Sequence, residues 1–279
     1  MAPIRRILVP VNFTNSCLAA ARFAEALASR CNADLFLAHV LEPFASAVGF
    51  ESAAMFEEGI RAHRQQACRE LQAFLKLRPT EKLQRVLLDG DPATEIVRFA
   101  HNESCDLILM PTRGYGVLRR LLLGSVTAKV LHDADCPVWT GVHPESFDAD
   151  AHISIRKVVC AVDLGPQTRA ALEWARHFAN YWHAALGILH VLPPVSDPEW
   201  RERLKTLAHE QLLTLQAETK TTGELRLEFG ETHRALPAVM NQLAPDLLVI
   251  GRGHAGSGAR LGGTAYAIVR DSSCPVVSV

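Results

Sequence analysis

One outline of residues occurs twice, from Asp106 to Gly141 and from Asp246 to Val279. It runs acid, short apolar run, glycine-bearing loop, helix-like run and a closing Cys-Pro-Val strand. The chemistry such a unit can do is anion binding. Gly114 permits a positive φ and the close approach of a phosphate. Gly124-Ser125 stands where a helix begins, so free N–H groups and the positive dipole end favour an anion. Arg113, Arg119 and Arg120 add charge-assisted donors. Ser125 has no G-x-S-x-G elbow around it and reads as a cap or a phosphate contact rather than a nucleophile. The second copy offers Gly251, Gly253 and Gly262-Gly263-Thr264 in a shorter loop, with Asp163 upstream. Gly251 to Gly256 also fits G-x-G-x-x-G. Only one helix and one terminal strand remain after it, so a dinucleotide fingerprint is not supported.

These residues need elements to hold them. Apolar runs at Ile7–Val11, Leu35–Val40, Leu83–Leu88, Leu107–Met110 and Val138–Thr140 predict five strands. Helical stripes lie between them: one from Leu18 to Ala28, one over 57–77, one over 93–101 and one after Gly124. The order restarts at Lys157–Val162, and the segment VHPESFDADAHISI between is polar and turn-rich. The division is therefore a first domain over 1–142, a linker over 143–155 and a second domain over 156–279. Alternating strands and helices predict two parallel α/β sheets, each of five strands with four helices. In such a sheet ligands sit at the carboxyl ends of the strands, where the strand order switches. The turns Pro10 to Asn12, Val40 and Pro111 to Gly116 should meet over one crevice. Val162-Asp163, Val191 and Gly251 to Gly258 should meet over another.

Composition bounds the partners. An apolar content of 48% supports packed cores, and a formal net charge of −1 with no long basic run argues against a nucleic-acid surface. No apolar run approaches the ~20 residues of a membrane span, and no signal peptide is evident. The seven cysteines are scattered without a C-x-x-C pair, which reads as free thiols in a cytoplasmic protein. His39 and His190 recur at matching strand ends and read as structural donors rather than metal ligands. Asp91, Glu95 and Glu231 near the crevice rims could position a metal on a nucleotide, or serve helix dipoles alone. No G-x-x-x-x-G-K-[ST] loop occurs, which counts against ordinary NTPase chemistry.

The segments ILVPVNF, LAHVL, LDGDPATEI and CDLILMPTRGYGVLRRLLLGSVTAKVLHDADCPV, with their echoes in the second copy, resemble the universal stress protein family in its tandem form. The resemblance implies Rossmann-like domains of the adenine nucleotide alpha hydrolase-like kind. Nucleotide-binding members carry Gly-x2-Gly-x9-Gly-Ser/Thr after the fourth strand. Gly114 and Gly124-Ser125 fit its last positions, while Pro111 replaces the first glycine. Asn12 stands where such members place an Asp. The resemblance implies adenine contacts from Pro10, Val11 and Val40. It implies phosphate contacts from the backbone at Arg113-Gly114 and from Gly124, Ser125 and Val126. In the second copy the corresponding set is Val162, Asp163, Val191, Gly251, Gly253, Gly263 and Thr264, ranked below the first because the loop is shorter. The implied ligand is ATP, ADP or AMP, with or without magnesium. The implied role is a stress sensor or regulator, with a nucleotide-free scaffold and a slow ATPase as alternatives. The fifth strands lie at sheet edges, where unpaired backbone seeks a partner. The expected contact is an internal pseudo-dimer through them, with homodimerisation of two chains left open.

Overall fold

The two halves lay down the same series of elements. The computed structural model describes residues 4–43, 53–74, 82–111, 123–141, 153–252 and 263–279. The first half runs β1 (Arg6–Pro10), α1 (Asn15–Cys31), β2 (Asp34–Leu41), α2 (Ala53–Ala73), β3 (Leu83–Asp89), α3 (Pro92–Asn102), β4 (Leu107–Leu109), α4 (Ser125–Asp133) and β5 (Val138–Thr140). The second runs β6 (Lys157–Val162), α5 (Thr168–Trp182), β7 (Ala185–Leu192), α6 (Pro198–Thr219), β8 (Glu224–Phe229), α7 (Thr232–Leu243), β9 (Leu247–Ile250), α8 (Gly263–Asp271) and β10 (Val276–Ser278). Helix α2 starts four residues before the expected Glu57, because Ala53, Ala54 and Met55 are good helix formers and extend it backward. The linker expected over 143–155 lies mostly outside the described residues.

The strands form a single sheet in the order β3-β2-β1-β4-β5-β10-β9-β6-β7-β8. Within each half every pairing is parallel. The halves meet where β5 and β10 run antiparallel, with Trp139 opposite Val277 and Thr140 opposite Val276. The order switches between β1 and β4 and again between β6 and β9. Beyond those points the chain turns to opposite faces and leaves a crevice.

Alternation along the strands builds two core layers. Ile7 and Val9 pack with α1, whereas Leu8 packs on the opposite face with α3 and α4. Helix α1 begins at the Thr14 cap, whose hydroxyl accepts from Cys17 N at 3.2 Å. Its buried Ala20, Ala21 and Ala24 let it lie close to the sheet. The acid that opens each repeated unit has a structural task. Asp106 Oδ2 accepts from the backbone N–H groups of Arg5 and Arg6, both at 2.9 Å. Asp246 Oδ2 does the same for Arg156 and Lys157, at 2.8 and 2.9 Å. Each acid therefore fixes the entry of the central strand of its half. The seam is filled by aromatics from both halves. Trp139, fully buried, lies 5.2 Å from Phe23 of α1 and 5.7 Å from Phe178 of α5 by ring centroids, and Trp174 stacks on Phe178 at 4.9 Å.

Candidate functional site

Each crevice is a cavity of small-ligand size. The first encloses about 600 Å³ and the second about 410 Å³, within the roughly 300–1,000 Å³ of ligand pockets. Of the residues singled out in the first half, Pro10, Val11, Asn12, Val40, Pro111, Gly124, Ser125 and Val126 all line the first cleft. Arg113 and Gly114 lie outside the described residues. In the second half Val162, Asp163, Val191, Gly251 and Thr264 line the second cleft. Gly263 begins α8 but is not part of the lining, and Gly253 lies outside the described residues.

One end of the first cleft is the start of α4. Its cap, Gly124, makes no side-chain cap bond, so the first-turn N–H groups have no intrahelical partner. Ser125 and Val126, which carry two of them, are cleft residues. The Thr127 hydroxyl reaches back to the Pro111 carbonyl at 3.3 Å and closes the turn across the cleft floor. Among the described residues, a Cβ at Gly124 would meet only Thr127 Oγ1, at 3.5 Å, an ordinary contact distance. The opposite wall is apolar, made by Val11, Ala38, Val40 and Met110.

The turn after the first strand of each half is held in an unusual conformation. Phe13 has φ 61° and Leu164 has φ 60°, both left-handed without being glycine. Such backbone persists only where its surroundings determine it. Two histidines brace these turns. His39 Nδ1 faces the Val11 carbonyl at 2.7 Å and His190 Nδ1 faces the Val162 carbonyl at 2.8 Å. A carbonyl can only accept, so each imidazole donates from Nδ1. The Phe13 ring packs on His39 at 4.3 Å. Both histidines thus serve as the structural donors read from the sequence, and both also form cleft walls.

Several cleft residues were not singled out by motif. Cys17, Glu42, Ile96, Leu123 and Thr127 line the first cleft, and Thr168, Thr232 and Leu236 the second. Thr127 alone carried a signal, as the third residue after Gly124 in a helix start. Burial pushes the Cys17 thiol up, against the lowering effect of its bonds to Thr14 and Asn12, so it is a weak nucleophile there. At the rim, Asp91 caps α3 by accepting from Thr94 N at 3.0 Å and accepts from Lys129 Nζ of α4 at 2.8 Å.

Arg252 is the unexpected member of the second cleft. Its guanidinium donates across the seam to the carbonyls of Ala134 and Cys136, and to Ser278 O at 3.3 Å. Burial pushes its pKa down.

Two doubly wound five-stranded halves, each with a cleft at its switch point, define a tandem Rossmann-like α/β protein. The chain belongs to the universal stress protein family, whose family model matches residues 3–140 and again 154–279. A universal stress protein of Methanocaldococcus jannaschii is 32% identical over 143 residues, covering 50% of this chain and 84% of that protein. One of Mycolicibacterium smegmatis aligns across both halves, 28% identical over 292 residues, which is 98% of this chain and 96% of its own. The solved structure of a universal stress protein from Archaeoglobus fulgidus matches with a TM-score of 0.65 at 21% identity, over 98% of this chain and 95% of that one. That last likeness is one of fold.

Proposed function

We propose that this chain binds an adenine nucleotide, ATP, ADP or AMP, chiefly in its first cleft, and acts as a sensor or regulator in a stress response. The observation that carries the reading is the uncapped start of α4 at one end of a 600 Å³ cleft whose other wall is apolar. Exposed N–H groups suit phosphates, and the apolar wall suits a purine. Pro10, Val11 and Val40 form the purine side, and Gly124, Ser125 and Val126 the phosphate side. Arg113 and Gly114 belong to the proposed site by their place in the motif. The second cleft, with Val162, Asp163, Val191, Gly251, Gly253, Gly263 and Thr264, is the lesser site. Among the described residues no group of three acidic, Cys or His side chains could hold a metal, so magnesium would arrive with the nucleotide's phosphates.

The domains run 1–142 and 156–279, joined by a linker over 143–155. The antiparallel pairing of β5 with β10 supports reading the two domains as an internal pseudo-dimer. No described helix is long and apolar enough to cross a membrane.

Isothermal titration with ATP tests the reading. Wild-type chain should release heat, and Gly124→Trp should lose most of it, while Gly124→Ala, which has room for its methyl group, should stay folded and bind. No heat, or unchanged heat in Gly124→Trp, would overturn the first-cleft assignment. In the first of those outcomes a nucleotide-free scaffold acting through protein contacts takes its place.

A further inference from the structure

We propose that an exposed line along α6 is a self-complementary docking surface, on which a second copy of this chain packs its own α6, antiparallel, about a two-fold axis at Leu207. The inference does not depend on the nucleotide reading.

Helix α6 carries more apolar side chains than its seat on the sheet uses. Ala208, Leu212 and Thr219 are buried, and Leu215 packs on the same core. Trp200 and Leu207 lie off that face and are 49% and 48% exposed. They stand seven residues apart and fall on one line with Arg203, Glu210 and Thr214. The spacing of three, four, three and four is that of a helix seam. Arg203 sits 5.6 Å from the centroid of the Trp200 ring, which steadies both side chains. The Thr214 hydroxyl donates back to the Glu210 carbonyl at 3.0 Å and so is satisfied within the helix. The Arg203 guanidinium and the Glu210 carboxylate have no hydrogen-bond or ion-pair partner among the described residues.

The matching helix of the first half lacks this line. When the buried Ala67 and Leu71 of α2 are laid over Ala208 and Leu212, the five places hold Gly59, Ala62, Gln66, Arg69 and Ala73. They offer neither large apolar anchors nor a pair of opposite charges. Packing a helix on this side of the sheet therefore does not require the line.

The order of the charges selects the occupant. In an antiparallel pair about Leu207, that leucine meets its own copy. Trp200 comes level with Thr214 of the second copy, since each is seven residues from the axis. Arg203 lies four residues before the axis and Glu210 three after it. An arginine of one copy and a glutamate of the other thus fall within one residue's rise, about 1.5 Å. The two-fold forms that pair twice. A parallel pair would set arginine on arginine and glutamate on glutamate, which is repulsive. Trp and Arg are residue types that anchor interfaces. A contact through one helix face is small, so the dimer is concentration-dependent.

Sedimentation velocity of the full chain, from about 1 to about 200 µM, tests the proposal. Wild type should pass from monomer to dimer across that range, and Leu207→Glu should remain monomeric. Arg203→Glu and Glu210→Arg should each raise the dissociation constant about tenfold, and the two together should return it to within about threefold of wild type. All three side chains are exposed, so every variant should melt with the wild type. A wild-type chain that stays monomeric throughout, or a dimer that survives Leu207→Glu, overturns the proposal. So does a double swap no better than its single changes, because the antiparallel pairing predicts the rescue.

Discussion

The two clefts share a frame and differ in their fittings. Asp106 and Asp246 pin their central strands through the same pair of backbone N–H groups, and His39 and His190 lock the same turn. Against that sameness stand Asn12 for Asp163, Pro111 for Gly251, and a first cleft larger by about half. The duplicated acid and histidine pairs hold the backbone, whereas Asn12 against Asp163 and Pro111 against Gly251 are differences that border the cavities.

The comparison is broken most forcefully at the seam, where the halves cease to be separate. Trp139→Ala empties a fully buried site packed against α1 of one half and α5 of the other. It should cost roughly 3–5 kcal/mol and lower a single calorimetric transition for the whole chain. A split trace, with the second half melting at its wild-type temperature, would show that the halves are stabilised independently.

A smaller effect sharpens the likeness of the frames. Asp106→Ala and Asp246→Ala each strand two backbone donors, at about 1–3 kcal/mol per variant. Denaturant midpoints for the two should fall together. A clear inequality would mean that one half depends on its pin far more than the other.

The least effect comes from the rim, where Asp91 joins α3 to α4 in the first half. Its hydrogen bond from Lys129, and then those from Thr94, hold its carboxyl below the ordinary carboxylate range. A carboxyl depressed on folding adds stability above its unfolded pKa, and that stability fades as pH falls through the depressed value. Asp91→Asn keeps a capping side chain and removes the pairing. Its acid melting curve should therefore converge with wild type at the lowest pH and fall slightly below it near neutrality. The pair is fully exposed, so salt should erase most of the gap. Equal curves at low ionic strength would remove the pair from the account.

How much of this was legible in the sequence follows the same division. The repeated outline of acid, apolar run, glycine and Cys-Pro-Val specified the alternation of strands and helices, since the pattern is local and its period is read directly. The cleft floor at Gly124-Ser125 was legible because a helix start is marked by its own residues. The bonds that the Asn12 side-chain carbonyl accepts from the Thr14 hydroxyl at 2.8 Å and the Cys17 thiol at 3.0 Å were not, because they depend on how the turn brings these groups together in space. The backward extension of α2 to Ala53 was missed because Ala53 to Phe56 follow a stretch with Pro43 and Gly49 and show no clean apolar period. Arg252 gave no hint of its use, for its acceptors lie more than a hundred residues away along the chain.

That arginine has a mechanical consequence. One guanidinium forms a wall of the second cavity and grips the backbone leading into β5 of the first half. Any group that drew it inward would loosen the grip, and any shear along the joint would reshape the wall. The same side chain thus braces the midline and borders one chamber.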